Sequence, residues 1–204
     1  MRNPRWALTT ASHVRLRQLG RLDERLVAYL DGLAIAGADG WRFCEAALEN
    51  LGVGEAFTAS VRAIEDRNTE RLARLCAVVE AAPDARPGLI SAFGWVSAQH
   101  LQGLTRSLLS SDNPFHRAVG LATCAMHKVD PGAGLGPTIA AADSHLRARG
   151  LRTAGQLGRR DLLESCVSRL MDEDPQCAFW GAHSSVLLGN RDVALKALQR
   201  MAVQ

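Results

Sequence analysis

Five arginines crowd the stretch from Arg147 to Arg160, and Arg149, Arg152, Gln156 and Arg160 recur there at three- and four-residue steps. On a helix such steps share one face. The stripe would then present fixed guanidinium groups, which take carboxylates or phosphates through paired N–H donors. One repeat further on, the positions matching Arg149 and Arg152 are Trp180 and His183, so a basic and aromatic patch could form. One repeat earlier they are Val119 and Ala122, and the stripe does not continue. The other reading is a solvated face whose arginines pair with Asp143, Asp161 and Asp174.

Other constellations carry less. His116, Cys124 and His127 fall on one expected helix, but the two histidines are separated by about 16 Å at the α-helical rise. Cys124 and His127 alone fall short of the ligand set of a structural zinc site. The run Gly132-Ala-Gly134-Leu-Gly136-Pro137 follows a helix rather than a strand and lacks the Lys-Ser/Thr of a phosphate loop. It reads as a connection between repeats. No Gly-x-Ser-x-Gly or His-Glu-x-x-His occurs, and Ser184-Ser185 beside His183 would diverge around one helical turn. The expectation is a chain with no catalytic residues, no cofactor and no metal.

The elements that must position the arginines repeat. Aligning Asn113–Lys128, Ser144–Gly158 and Pro175–Gly189 superimposes Gly120, Gly150 and Gly181. Gly158-Arg-Arg-Asp161 likewise matches Gly189-Asn-Arg-Asp192, and an earlier copy fits Asp84–Val96. A period of about 30 residues holding two short helices is the mark of a helical solenoid. Glycines kept inside helices cost roughly 1 kcal/mol each against alanine, so several in register imply close helix crossings. Upstream, Leu22, Leu26, Tyr29, Leu30 and Leu33 predict an amphipathic helix over Leu22–Ala36. Helices are then expected at Gly40–Asn50, Glu55–Asp66 and Glu70–Ala81. In the first of these, Trp41, Cys44 and Leu48 should turn inward. No strand alternation persists, so the chain reads as all-α with ten to twelve short helices. The expected organisation is an N-terminal arm over 1–20, a helical region over 21–66 and repeats over 67–204.

Composition limits the partners. Net charge is +3, small beside the footprint of a dedicated nucleic-acid binder. No apolar run approaches the roughly 20 residues of a membrane helix. Five arginines and no acid in the first 22 residues superficially suggest a transit peptide, but a solvated first helix accounts for them better. Five cysteines without a CxxC pair point to reduced, buried thiols in the cytoplasm.

Leu22-Asp-Glu-Arg-Leu-Val-Ala-Tyr-Leu-Asp-Gly-Leu33, followed by Ala36-Gly37 and Gly40-Trp41, resembles the front of an uncharacterised proteobacterial family of HEAT-like repeats. The resemblance runs from about Arg21 onward; Tyr29 stands where that family would have His, and longer members continue with more repeats. It implies a bacterial scaffold accessory to type VI secretion, with no catalytic residues to carry over. At the end of the chain Val193, Leu195, Leu198 and Met201 lie on a helix with little polar surface. They are expected to form an interface with a second copy or a partner subunit. The leading expectation is therefore a non-catalytic HEAT-like α-solenoid that binds another protein. The alternative is a nucleic-acid binder resembling HEAT-like DNA glycosylases, which use a basic concave surface on phosphates.

Overall fold

Asn113, Asp143 and Asp174 each open a helix of 14 residues by accepting hydrogen bonds from first-turn backbone N–H groups. Each helix closes on a residue in the left-handed region, Lys128, Gly158 and Gly189 respectively. A polar side chain thus satisfies the first orphan donors, and a reversed φ ends the run. These helices come from a computed structural model that describes residues 15–203. Among the described residues all regular structure is helical, with twelve α-helices, five 3-10 turns and no strand.

The chain divides into two compact units after Leu101. The first unit holds α1 (Leu16–Ile35), α2 (Gly37–Ala47), α3 (Val53–Glu65), α4 (Thr69–Glu80) and α5 (Arg86–Trp95). The expected N-terminal arm over 1–20 lies mostly outside the described residues. The core helix is α3, whose residues from Ala59 to Ile64 are all buried. Leu72, Leu75, Cys76 and Val79 of α4 and Leu89, Ala92 and Phe93 of α5 are buried with it. The buried Arg62 is held by Glu65 and Asp66. Gly88 marks the crossing of α5 and α3, where an added Cβ would run into the Val53 carbonyl oxygen. One expectation fails here. Tyr29 is 63% exposed, because α1 buries only Leu30. Ahead of α2, Gly37 at φ +55° turns the chain.

The second unit alternates short and long helices: α6 (Leu104–Leu109), α7 (Pro114–His127), α8 (Leu135–Thr138), α9 (Ser144–Leu157), α10 (Leu163–Val167) and α11 (Pro175–Leu188), then α12 (Asp192–Val203). The first helix of each pair is the shorter one. In the middle pair Gly134, Gly136 and Pro137 leave little helix-forming chain, and Thr138 turns its hydroxyl back onto the Leu135 carbonyl.

Gly120, Gly150 and Gly181 all face the segment that precedes their own helix. A Cβ on Gly120 would sit 3.1 Å from Leu109, on Gly150 2.5 Å from Thr138 Oγ1, and on Gly181 3.1 Å from the Cys166 carbonyl. Gly155 instead faces Ser184 on the next long helix.

Side-chain bonds tie one long helix to the next. Thr153 donates to the Leu121 carbonyl at 3.4 Å, Ser184 to the Leu151 carbonyl at 2.8 Å, and Cys177 to the Ser144 carbonyl at 3.2 Å. In each pair the donor lies two positions further along its helix than the acceptor does along its own. The long helices therefore run parallel and in constant register. Their apolar cluster includes Leu121, Leu135, Ile139, Leu146, Leu151 and Cys166.

Candidate functional site

Burial of Leu146, Ala148, Gly150, Leu151, Thr153, Ala154 and Gly155 fixes how α9 is rotated and leaves its arginines on two different edges. On one, Arg147 reaches Asp172 through Nε and Nη2 at 3.0 Å each, and donates to the Ala141 carbonyl at 2.7 Å. Past the end of the helix, Arg159 bridges Asp130 and Asp161 at 2.7 Å each. Those two arginines hold loops together. Asp161 serves as one expected acid, but Asp143 and Asp174 act as helix caps, and Asp172 replaces them as an arginine partner.

Arg149 and Arg152 differ. Neither is paired with a carboxylate among the described residues. Arg152 lies over the Trp180 ring at 4.5 Å, and its buried Nε has no hydrogen-bond partner. Burial, and then the like charge of Arg152, push Arg149 down to about 10, and burial also lowers Arg152. Trp180 stands edge-on to His183 at 5.4 Å. The structure thus brings Arg149, Arg152, Trp180 and His183 together across α9 and α11. Arg160 does not extend the stripe. The helix ends at Leu157, Gly158 reverses the chain at φ +69°, and Arg160 opens an exposed 3-10 turn. Helical spacing cannot be counted through a left-handed turn.

Sequence reasoning passed over two aromatic and apolar neighbours. Phe179 stacks on His183 at 5.9 Å and is 39% exposed, and Leu187 is 54% exposed. Their signal was the i, i+4, i+8 step from Phe179 through His183 to Leu187, hidden because α11 is apolar on most sides. A groove of about 510 Å³ in the first unit, beside Trp41, Leu48 and Leu75, was also missed. Trp41 is half-buried under Arg71, at 4.2 Å, rather than in the core. The groove's arginines are compensated, Arg71 by Asp66 and Arg74 by Glu70, and so lack the unmet charge of Arg149 and Arg152.

The C-terminal residues separate as well. Ala194 and Ala197, with Leu198 and Met201, pack on Leu170, Ala182, Val167 and Val186. Val193 and Leu195 remain exposed. Of the four expected interface residues, Leu198 and Met201 therefore serve the fold, and Val193 and Leu195 are presented outward.

Among the described residues no group of three or more His, Cys, Asp or Glu side chains could hold a metal ion. All five cysteines are free and buried. Burial raises Cys76 and Cys166 to about 11, which keeps them as unreactive thiols. No described helix is long and apolar enough to cross a membrane. No family model matches the chain, and no curated protein or solved structure matches it either.

An arginine charged but unpaired in a partly buried site weakens the fold. Arg149→Met keeps the stem and removes the charge, and is expected to raise stability by about 1–3 kcal/mol. The depressed folded value means that the penalty is fully present at neutral pH and is relieved only above about pH 10. Urea unfolding at pH 7 and pH 10.5 checks this: the gain over wild type should shrink at the higher pH.

Proposed function

We propose that this chain is a non-catalytic binding protein whose second unit is a HEAT-like α-solenoid that holds a partner protein against α9 and α11. The observation that carries the reading is the Arg149–Arg152 pair, left without a counter-charge and braced by Trp180 on helices locked to their neighbours. A surface that keeps a destabilising charge pair in place is suited to a ligand that neutralises it. The parallel long helices in constant register, each with its own short helix, support the solenoid reading. The family resemblance adds an accessory role in type VI secretion within the bacterial cytoplasm.

Nucleic acid is the weaker partner. A phosphate track needs cations in succession, and at the equivalent positions of α7 stand Val119 and Ala122, both buried.

The test is a photo-crosslinking residue at position 179 of the full chain in its native cell. The expected product is a protein adduct that disappears when Arg149→Glu and Arg152→Glu are added. An adduct to nucleic acid, or a protein adduct indifferent to both charge reversals, overturns the reading.

A further inference from the structure

Two stripes run side by side on the parallel helices α9 and α11. One carries Arg149 and Arg152; the other carries Phe179, His183 and Leu187, of which Phe179 and Leu187 are 39% and 54% exposed. Arg152 over Trp180 at 4.5 Å joins them. We propose that this double stripe takes an acidic amphipathic segment of the partner protein, with carboxylates on the arginines and apolar side chains along α11. The inference rests on the protein-binding reading and specifies its ligand.

Three observations support that occupant. The guanidinium pair has no carboxylate of its own, and an incoming carboxylate would accept charge-assisted bonds from its terminal N–H groups. The adjoining apolar side chains would lose water only to a ligand with apolar groups beside its acids. The stripe from Phe179 to Leu187 spans about 12 Å at the helical rise, two to three turns of a helix laid along the groove. A free phosphate would meet the charges and leave Phe179 and Leu187 bare.

The experiment uses the full chain and fluorescence anisotropy with three labelled probes. They are a helical peptide with Glu along one edge and Leu along the next, the same peptide with Gln for Glu, and an oligothymidylate of equal length. The acidic peptide should bind roughly tenfold or more tightly than its Gln counterpart, and Arg149→Gln/Arg152→Gln should abolish that difference. Leu187→Ser, at an exposed position, should weaken the acidic peptide about threefold and leave its preference over the Gln peptide intact. Equal binding of the two peptides, or a double variant that binds like wild type, overturns the acidic-segment proposal. If cellular crosslinks from position 179 still depend on Arg149 and Arg152, that result leaves protein binding standing. Preferential binding of oligothymidylate, lost in the same double variant, overturns both.

Discussion

Asp172→Ala should lower the stability of the second unit by about 3–5 kcal/mol, the range for removing one member of a buried ion pair. The Asp172 side chain is 3% exposed and Arg147 14%. Its carboxylate accepts both Arg147 bonds, a third from Arg169 at 3.4 Å and the backbone N–H of Asp174 at 3.1 Å. Truncation would leave the Arg147 guanidinium buried with only carbonyl acceptors, and would loosen the turn that delivers Asp174 to its capping position. Burial alone would push the Asp172 carboxyl up; the Arg147 bonds and the Asp174 N–H outweigh it and hold the group below the usual carboxylate range. A depressed carboxylate stabilises the fold above its unfolded pKa, and that contribution is lost as pH falls through the folded value. Urea unfolding at pH 7 should therefore show the full loss, and the gap from wild type should narrow toward pH 3. A difference that stays constant with pH would mean that the ion pair is not its source.

Gly88→Ala should cost the first unit about 1–3 kcal/mol, although alanine is the better helix former by roughly 1 kcal/mol. The added methyl would collide with the Val53 carbonyl oxygen and lie 3.0 Å from Phe57 N and from Ala56 Cβ. Two of those atoms are backbone, which no rotamer change can withdraw, so α5 would have to lift off α3. Gly136→Ala serves as the control: there the new methyl meets only Leu162 Cδ2 at 3.6 Å. Thermal unfolding followed by circular dichroism should show a lowered midpoint for Gly88→Ala and a small change for Gly136→Ala. Equal midpoints for the two would remove the close crossing of α3 and α5.

The long helices were legible because their signals are local. The aligned glycines and the breaks at Gly158 and Gly189 mark them, although Asp143 and Asp174, expected as arginine partners, prove to be caps. Asn68 likewise caps α4 through Arg71 N. The packing glycines could be read from their alignment alone. Pairing of the arginines could not. Whether Arg147 or Arg149 meets a carboxylate depends on where the loop carrying Asp172 passes, and that loop is distant in sequence from both. Tyr29 was misjudged for a related reason. A stripe on α1 shows which side is apolar, but not how much neighbouring surface exists to cover it.

The hydroxyl bonds from Thr153 to Leu121 and from Ser184 to Leu151 also say how such a chain can change length. Donor and acceptor positions recur in register, so α9 carries both the donor that bonds α7 and the acceptor that α11 uses. Excising residues 144–174 would put Pro175 directly after the cap Asp143, bring Gly181 against Thr138 in place of Gly150, and set Ser184 opposite Leu121. A hydroxyl tie between neighbouring long helices would thus re-form with a new pair of residues. Loss of a single residue early in α9, by contrast, would turn the rest of that helix by about 100° and break both hydroxyl ties. A helix pair of the second unit can thus be removed and its tie replaced, while a single residue of α9 cannot.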